Sequence, residues 1–426
     1  MNAQAASGFE RPRTIVVGAG VSGLVIARQL TARGVAVTLV DRNAEVGGLA
    51  RTFRYDDGFF DTGPHLLRAE DAGVHGILRS ALGDDVVAAP FQGGVHAFGR
   101  THPLPIRGGM LRALPLRAML HGAWDLVRRE RVEEDSYESE VVSAYGRTLY
   151  EALFRRATER FLMTPAERID ADWARFGLLG ADRQAEGAGL YPRRGIGALA
   201  AGLASDVLAA GGRILLGREV KGIDTAGNRV VSVRAGGERL AADAVVWTAP
   251  LTRALHLLGF APGRLRFVST VLYNLTLREP SLLRYPWVCY SGEERFVRVS
   301  DPTAFSPQAA PAGRGALCVE CTCREGDPIW EDPSRHVATI LVGLALTGAM
   351  RSVKSVEGVY PERLPDTYPV YERGYREELG RGMGELSRYG NLVLAGRNGL
   401  FWCNRTDQAI AHGLRVAARL DPGRPA

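Results

Sequence analysis

The stretch Thr14-Ile15-Val16-Val17-Gly18-Ala19-Gly20-Val21-Ser22-Gly23 decides the fold. Its first four residues predict a buried strand, the glycines predict a turn, and the apolar spacing over residues 21–32 predicts a helix. A Gly-x-Gly-x-x-Gly turn between a strand and a helix is typical of dinucleotide binding. Gly18 permits the tight turn, Gly20 lets the backbone approach a pyrophosphate, and Gly23 lets the helix pack on the strand. The helix N-terminus, which begins with Val21 and Ser22, is expected to face the anion.

The residues after this helix complete a β-α-β unit. A second strand is predicted over Val35–Val40, and it ends at Asp41 and Arg42. An acid about 20 residues after the glycines is the side chain that binds a ribose hydroxyl in this motif. We therefore expect a dinucleotide at the carboxyl ends of the two strands, in contact with Asp41 and Arg42.

Composition excludes several classes of protein. With 426 residues, of which 46% are hydrophobic and 23% charged, the chain is long enough for two folded domains and is not disordered. The net charge of +6 is spread thinly and basic residues do not alternate with aromatic ones, so we expect no nucleic-acid partner. Residues 1–13 lack the apolar run of a signal peptide, and the longest uncharged apolar run, Val337–Met350, is too short to span a bilayer. We therefore expect a cytoplasmic protein without an integral membrane segment.

The cysteines do not indicate a metal site. Cys318, Cys321 and Cys323 fall in a predicted strand, in which only the last two share a face, and no fourth ligand lies nearby in the sequence. We expect these cysteines to be apolar strand residues, and we expect no metal. Five cysteines in a chain of this length are not typical of a disulfide framework.

Several downstream motifs carry a family resemblance. They are Glu45-Val46-Gly47-Gly48-Leu49-Ala50-Arg51-Thr52, Phe60-Asp61-Thr62-Gly63-Pro64-His65, Pro105-Ile106, Gly396-Arg397-Asn398-Gly399 and Asn404-Arg405-Thr406-Asp407-Gln408-Ala409. Together with the first glycine turn, they make the chain resemble the superfamily of FAD-dependent amine oxidases, protoporphyrinogen oxidases and UDP-galactopyranose mutases. The resemblance runs from about residue 13 to residue 420.

The resemblance implies a non-covalent FAD and assigns its contacts. The helix predicted to start near Thr406 would direct its N-terminus at flavin N1 and O2, where negative charge develops on reduction. Around the rest of the cofactor, the resemblance implies that Gly47, Gly48, Leu49 and Arg51 cover the diphosphate, that Gly63, Pro64 and His65 lie beside the isoalloxazine ring, that the backbone of Val220 contacts adenine, and that Gly396, Arg397, Asp407, Gln408 and Ala409 close the site.

His65 and Arg397 are the candidate catalytic residues. His65 would transfer or polarise a proton near flavin N5, and the alternative is a histidine that only fixes its turn. Phe401, Trp402 and Arg68 are the candidate residues of the substrate pocket, with a core position as the alternative for the two aromatic side chains. Many amine oxidases of the superfamily use a lysine that is linked through water to flavin N5. The chain has only two lysines, and neither Lys221 nor Lys354 falls in a segment that matches.

The expected fold is α/β, with two domains. Residues 13–107, 190–260 and 389–426 would form a discontinuous Rossmann-like FAD-binding domain, and residues 1–12 a disordered tail. A helical insertion at 108–189 and an antiparallel sheet within 261–388 would form the substrate domain. The clearest helix of the insertion is predicted over Ser136–Phe161 with Ser136 as its N-cap, and residues 264–345 are predicted to be mostly strand.

The expected function is that of a FAD-dependent oxidoreductase, either an oxidase or a dehydrogenase. A small organic metabolite, by analogy a biosynthetic intermediate, would pass a hydride to flavin N5, and molecular oxygen or another acceptor would reoxidise the flavin. One alternative is a non-redox sugar-nucleotide mutase that resembles UDP-galactopyranose mutase and uses reduced FAD. A cofactor-binding partner protein without turnover is the other alternative.

Overall fold

The structure, a computed structural model, describes residues 13–106, 112, 114, 116–128, 135–178 and 188–420. Its strands are β1 (Arg13–Val17), β2 (Ala36–Val40), β3 (Thr52–Tyr55), β4 (Gly58–Asp61), β5 (Val86–Pro90), β6 (Gly93–Ala97), β7 (Arg100–Pro103), β8 (Ala188–Pro192), β9 (Arg213–Leu215), β10 (Val220–Ala226), β11 (Arg229–Ala235), β12 (Glu238–Ala241), β13 (Ala244–Trp247), β14 (Phe267–Leu277), β15 (Trp287–Tyr290), β16 (Arg298–Ser300), β17 (Gly315–Cys323), β18 (Val356–Pro369) and β19 (Leu392–Leu394).

Helices connect and cover these strands. They are α1 (Val21–Thr31), α2 (Ala72–Leu82), α3 (Leu116–Arg128), α4 (Tyr137–Tyr145), α5 (Arg147–Leu149), α6 (Arg155–Leu162), α7 (Ala171–Trp173), α8 (Gly197–Ala209), α9 (Leu251–Leu257), α10 (Pro302–Phe305), α11 (Pro328–Glu331), α12 (Val337–Leu346), α13 (Tyr375–Leu386), α14 (Gly396–Gly399) and α15 (Thr406–Arg419). No helix in the described part of the chain is both long and apolar enough to cross a membrane.

A five-stranded parallel sheet carries the first glycine turn. Its strand order is β19-β13-β1-β2-β9, and every neighbouring pair is parallel. One face packs against α1, α2, α8 and α15 through a buried apolar cluster that includes Leu24, Ile77, Leu199 and Ile410. The opposite face packs against the β10-β11-β12 meander, α9 and α13. The carboxyl ends of the parallel strands are thus left at one edge of the layer, where ligands of open α/β sheets bind.

A seven-stranded sheet stands beside the parallel one. Its order is β18-β14-β17-β16-β15-β6-β7, and only the β15–β6 pair is parallel. The last two strands of this order come from residues 93–103, which the sequence analysis grouped with the parallel sheet. The fold is therefore α/β, with a parallel sheet and antiparallel pairing elsewhere, as the sequence predicts.

Two sequence predictions about local structure are wrong. The long helix predicted over Ser136–Phe161 is broken, because Gly146 adopts a φ of +83° and ends α4; α5, a π-helical turn at Tyr150–Phe154 and α6 follow. Ser136 does cap α4, since its hydroxyl accepts the N–H of Ser139. Within residues 264–345, the run Val337–Leu346 is a helix, which buries Ile340 and Leu344 one turn apart. The tail 1–12 and residues 108–111, 129–134 and 179–187 of the insertion lie outside the described residues.

Candidate functional site

A cavity of about 550 Å³ begins at the glycine turn after β1 and ends between the two large sheets. It is lined by residues at and after the carboxyl ends of β1, β2 and β13, by residues 364–366 of β18 and by residues of the segment 396–409. Of the predicted cofactor-binding residues, Gly18, Gly20, Val21, Ser22, Gly23, Asp41, Arg42, Gly47, Gly48, Leu49, Arg51, His65, Val220, Gly396, Arg397 and Ala409 line it, whereas Gly63, Pro64, Asp407 and Gln408 do not.

The three glycines of the first turn have different surroundings. A Cβ on Gly23 would lie 2.0 Å from the carbonyl oxygen of Gly18, so this position must stay bare for α1 to pack on β1. A Cβ on Gly18 would lie 2.3 Å from Oγ1 of Thr248, and Gly18 also has a φ of +107°. A Cβ on Gly20 would have only the carbonyl oxygen of Gly47 near it, at 4.0 Å. The space beside Gly20 and the N-terminus of α1 is therefore open to a ligand.

A second glycine turn closes over the first. The N–H of Gly47 donates to the carbonyl of Ala19 over 2.8 Å, and Gly47 and Gly48 have φ values of +111° and +60°. The Nε of Arg51 donates to the carbonyl of Gly48 over 2.9 Å, which keeps the guanidinium beside this turn. Burial lowers the pKa of Arg51, although the nearby Asp41 raises it. Arg51 has no carboxylate partner among the described residues, so a cation faces the cavity there.

Asp41, which directly follows β2, binds the backbone of the first glycine turn. Its carboxylate accepts the N–H of Ala19 over 2.6 Å and the N–H of Asn43 over 2.7 Å. Arg42 donates to Asp366 over 3.3 Å, and Val220 is buried at the start of β10. Each of these residues except Ala19 lines the cavity. Asp41 therefore has a structural use in this fold besides the ribose contact that its position predicts.

His65 lies at the far end of the cavity, between two threonines. Its Nε2 is 3.2 Å from Oγ1 of Thr62, and its Nδ1 is 3.4 Å from Oγ1 of Thr406. Because the Thr62 hydroxyl donates its proton to the carbonyl of Leu49, its oxygen can only accept from His65, which assigns the proton to Nε2. Burial, with the positive charges of Arg298 and Arg397, lowers the pKa of His65 to about 3. His65 is therefore neutral at physiological pH and presents Nδ1 to α15.

A buried ion pair lies next to this histidine turn, and sequence analysis did not find it. Arg298 of β16 donates to Glu320 of β17 through Nε over 2.6 Å and through Nη2 over 2.7 Å. The same Nη2 donates to the hydroxyl of Tyr368 over 2.9 Å, and the guanidinium of Arg397 lies 4.9 Å from the centre of the Tyr368 ring. A Cβ on Gly63 would be 3.2 Å from Oε1 of Glu320, so this glycine packs directly on the pair.

The predicted substrate-pocket residues Phe401, Trp402 and Arg68 do not line the cavity. Phe401 is 1% exposed and packs in the core against Phe267, Tyr371 and Tyr375, which is the alternative that the sequence analysis left open. Trp402 is half-buried with its ring 6.0 Å from that of His412, and the guanidinium of Arg68 lies over Phe91 at 4.6 Å. In the sequence, Phe401 lies between cavity-lining residues. Its backbone has a φ of +52°, and its side chain packs in the core.

The start of α15 is organised by its own side chains. Arg405, not Thr406, is the residue that precedes the first helical turn, and its N–H donates to Oε1 of Gln408 over 3.0 Å. The Arg405 guanidinium binds Asp407 over 2.7 Å. Asp407 and Gln408 therefore serve the helix start, while Thr406 and Ala409 line the cavity.

The volume and the polar lining of the cavity are compatible with a bound dinucleotide. Its volume is within the usual range of roughly 300–1,000 Å³ for ligand sites. Three buried atoms of its lining have no hydrogen-bond partner in the described structure: Nε of Arg397, Oδ1 of Asn398 and Nδ2 of Asn404. Unpaired buried polar atoms are costly and call for a bound group. None of the five cysteines lines the cavity.

Curated relatives share parts of the sequence. The probable UDP-galactopyranose mutase of Klebsiella pneumoniae is 28% identical over 167 residues, which are 36% of this chain and 42% of the relative. The 4,4'-diapophytoene desaturase (4,4'-diaponeurosporene-forming) of Staphylococcus haemolyticus is 45% identical over 56 residues, 13% of this chain and 11% of the relative. This chain thus spans less than half of the length of either relative.

Solved structures share the fold over nearly the whole chain. Reduced UDP-galactopyranose mutase has a TM-score of 0.83 at 18% identity, with 95% of this chain and 94% of that chain covered. A putative protoporphyrinogen oxidase from Exiguobacterium sp. 255-15 has a TM-score of 0.75 at 19% identity, with 96% and 99% covered. Putrescine oxidase bound to putrescine has a TM-score of 0.64 at 18% identity, with 96% and 98% covered. At these identities the likeness is one of fold.

The family model of flavin-containing amine oxidoreductases matches residues 21–279, which is more than half of the chain. That range includes residues 21–23 at the end of the first glycine turn, the second glycine turn, His65 and Val220. The chain therefore belongs to the flavin-containing amine oxidoreductase family, and its cofactor is FAD.

Proposed function

We propose that this protein is a FAD-dependent oxidase or dehydrogenase that oxidises a small organic metabolite, a biosynthetic intermediate. When bound, FAD accepts the hydride that the substrate gives up. The observation that carries the proposal is a cavity that is lined both by the dinucleotide turn and by polar side chains from other elements, which are His65, Glu325, Asp366 and Arg397.

The chain's own residues have three tasks in this proposal. The N-terminus of α1 and the bare backbone of Gly20 hold the diphosphate, with Arg51 as its counter-charge. The N-terminus of α15 stabilises negative charge that develops at the flavin end. His65 is neutral, so it acts as a fixed hydrogen-bonding group rather than as a strong acid.

The amine-oxidase arrangement with a lysine has no support in this chain. Lys221 lies on β10 with its side chain exposed, and Lys354 lies in an exposed turn before β18. Neither lysine lines the cavity that holds the dinucleotide turn. In this proposal the substrate is therefore oxidised without the help of a lysine.

The mutase alternative needs arginines that can hold a sugar diphosphate, and the arginines near the second sheet are already engaged. Arg298 uses two N–H groups on Glu320. On α6, Arg155 pairs with Glu151, Glu159 and Glu167, Arg156 pairs with Glu293, and Arg160 donates to the carbonyls of Gly292 and Phe296. Binding a diphosphate there would require these contacts to break, so we favour the redox reaction.

The experiment compares two anaerobic reactions of the holoenzyme. Oxidised holoenzyme is mixed with amines, amino acids and carotenoid precursors, which are the substrate classes in the names of the relatives. Loss of the visible flavin band, with a product that has lost two electrons, supports the proposal. Photoreduced holoenzyme is mixed in parallel with UDP-galactopyranose. Isomerisation with the flavin still reduced would establish the mutase instead. Lys221→Met is the control variant. Because Lys221 does not line the cavity, this variant should react as the parent protein does.

A further inference from the structure

Asp366 has a backbone conformation that is rare for a residue with a side chain. Its φ is +56°, in the left-handed region that glycine adopts freely and other residues seldom adopt. The residue lies in β18 where the pairing with β14 shifts register, between the pairs Thr270–Leu364 and Val268–Tyr368. Such irregularities next to a site direct a side chain to a new position. Because glycine would adopt this conformation without strain, we expect the carboxylate of Asp366 to have a use of its own.

Hydrogen bonds on both sides fix the backbone of Asp366. Its N–H donates to Oγ of Ser269 over 3.3 Å, and its carbonyl accepts Nδ2 of Asn398 over 2.8 Å. In the next residue, the hydroxyl of Thr367 donates to the carbonyl of Val268 over 2.9 Å. These contacts come from β14 and α14, so the position of the carboxylate is set before any ligand binds.

The carboxylate of Asp366 joins the two large sheets. It accepts a hydrogen bond from Arg42, which directly follows β2 of the parallel sheet, over 3.3 Å. Both residues line the cavity, and among the described residues Arg42 has no other carboxylate partner. The backbone beside Arg42 is also fixed, because the N–H of Gly217 donates to the carbonyl of Asn43 over 2.8 Å. The ion pair therefore links the two sides of the cavity from anchored positions.

We propose that Asp366 is a positioning residue that holds Arg42 across the cavity, and that the resulting pair slows the release of FAD. The two side chains are 44% and 26% exposed, and ion pairs at such positions add little to the stability of a fold. Since both backbones are already fixed, however, little conformational freedom is lost when the pair forms. The inference needs only bound FAD and does not depend on the reaction that the flavin carries out.

The test is the rate at which FAD leaves the diluted holoenzyme, followed by the rise in flavin fluorescence. Asp366→Asn and Arg42→Gln should each release FAD about three- to fivefold faster than the parent protein. The double variant should release it no faster than the faster single variant, because each change breaks the same pair. Glu357→Gln is the matched control. It removes the partner of Arg314 on the same strand, away from the cavity, and should release FAD at the parent rate.

Two further readouts separate the role of the carboxylate from that of the backbone. Asp366→Gly keeps the left-handed conformation and removes the carboxylate, so its apoprotein should resist urea about as well as the parent and its holoenzyme should release FAD as Asp366→Asn does. Higher ionic strength should accelerate release more in the parent protein than in Asp366→Asn, since salt weakens only an intact pair.

Three results would overturn the inference. Slower release of FAD from Asp366→Asn than from the parent would show that the carboxylate merely repels the diphosphate. Faster release from Arg42→Gln with an unchanged rate in Asp366→Asn would show that Arg42 binds FAD without help from Asp366. Effects of the two single changes that multiply in the double variant would show that the residues act independently.

Discussion

Glu320 accepts two hydrogen bonds from Arg298, of 2.6 and 2.7 Å, directly under the glycine that precedes His65 by two residues. Glu320 is 2% exposed, and the side chain of Arg298 is 19% exposed. A buried pair of this kind contributes little net stability, because removing two charges from water costs about as much as their attraction returns. Its position indicates that it sets the shape of the turn and the charge around His65.

Replacing one partner of this pair should be far more harmful than replacing both. Glu320→Gln leaves the Arg298 charge buried without a counter-charge, and we expect the free energy of unfolding to fall by about 3–5 kcal/mol. The double variant Arg298→Met/Glu320→Leu should lose much less, because no charge is left buried. Urea unfolding of the apoproteins measures both. A single variant that is no less stable than the double one would show that the pair is not coupled in this way.

His65 should stay neutral across the physiological range. Its pKa is lowered to about 3, mainly by burial, from an ordinary value of 6.5. The folded protein therefore binds the proton more weakly than the unfolded chain, so the contribution of His65 to stability is present above pH 6.5 and is lost as the pH falls toward 3. Nitrogen NMR of histidine-labelled protein, with His65→Gln to assign the signal, should show the Nε2–H tautomer from pH 5 to pH 8. A titration near pH 6.5 would contradict the assignment.

Substitutions at two glycines of the first turn should have different effects, one on cofactor binding and the other on folding. Gly20→Ala places a methyl group in the open space where the diphosphate is expected, so the apoprotein should fold and its affinity for FAD should fall at least about tenfold. Gly23→Ala collides with the carbonyl of Gly18 and should not give a stable apoprotein. Gly76→Ala, at an open helical position, is the control and should behave as the parent protein. Thermal unfolding and FAD titration measure the two effects, and normal FAD affinity in Gly20→Ala would refute the cofactor site.

Asp61 should make the protein less stable as the pH rises from about 4 to about 6. Burial raises its pKa to about 6, against the hydrogen bonds from Thr52, Tyr191 and Ile196 that lower it. The folded state therefore holds the proton more tightly than the unfolded state, and stability is lost until the group has ionised. The difference in unfolding free energy between the parent and Asp61→Asn should shrink over this interval by up to about 3 kcal/mol and then stay level. If this difference in unfolding free energy grew as the pH rose, the predicted direction of the pKa shift of Asp61 would be contradicted.

The predictions for the cofactor side of the site use local information in the sequence. The turn Gly18–Gly23, the acid at Asp41 and the second turn at Gly47 are fixed by short spacings, and steric needs restrict each glycine position. All of these residues meet at one cavity. These spacings predict a dinucleotide site on an α/β fold, and the family resemblance of the later motifs predicts that the dinucleotide is FAD.

The far end of the site was not predictable, because it is built from distant strands. Arg298 and Glu320 are opposite each other on β16 and β17, and no spacing in the sequence indicates that partnership. Phe401 shows the reverse error, since its closeness in sequence to Arg397 suggested the pocket while packing drew it into the core. Asp366 lines the cavity without any motif that would mark it.

The reoxidation of photoreduced holoenzyme tests the proposed redox function most directly. The reduced enzyme is mixed in a stopped-flow instrument with oxygenated buffer or, without oxygen, with dichlorophenolindophenol, and the return of the visible flavin band is followed. We predict that at least one of these acceptors reoxidises the bound flavin faster than it reoxidises free reduced FAD at the same concentration. Fast reaction with oxygen would identify an oxidase, and reaction with the dye alone a dehydrogenase. If both acceptors react with the bound flavin no faster than with free reduced FAD, the proposed redox function is contradicted.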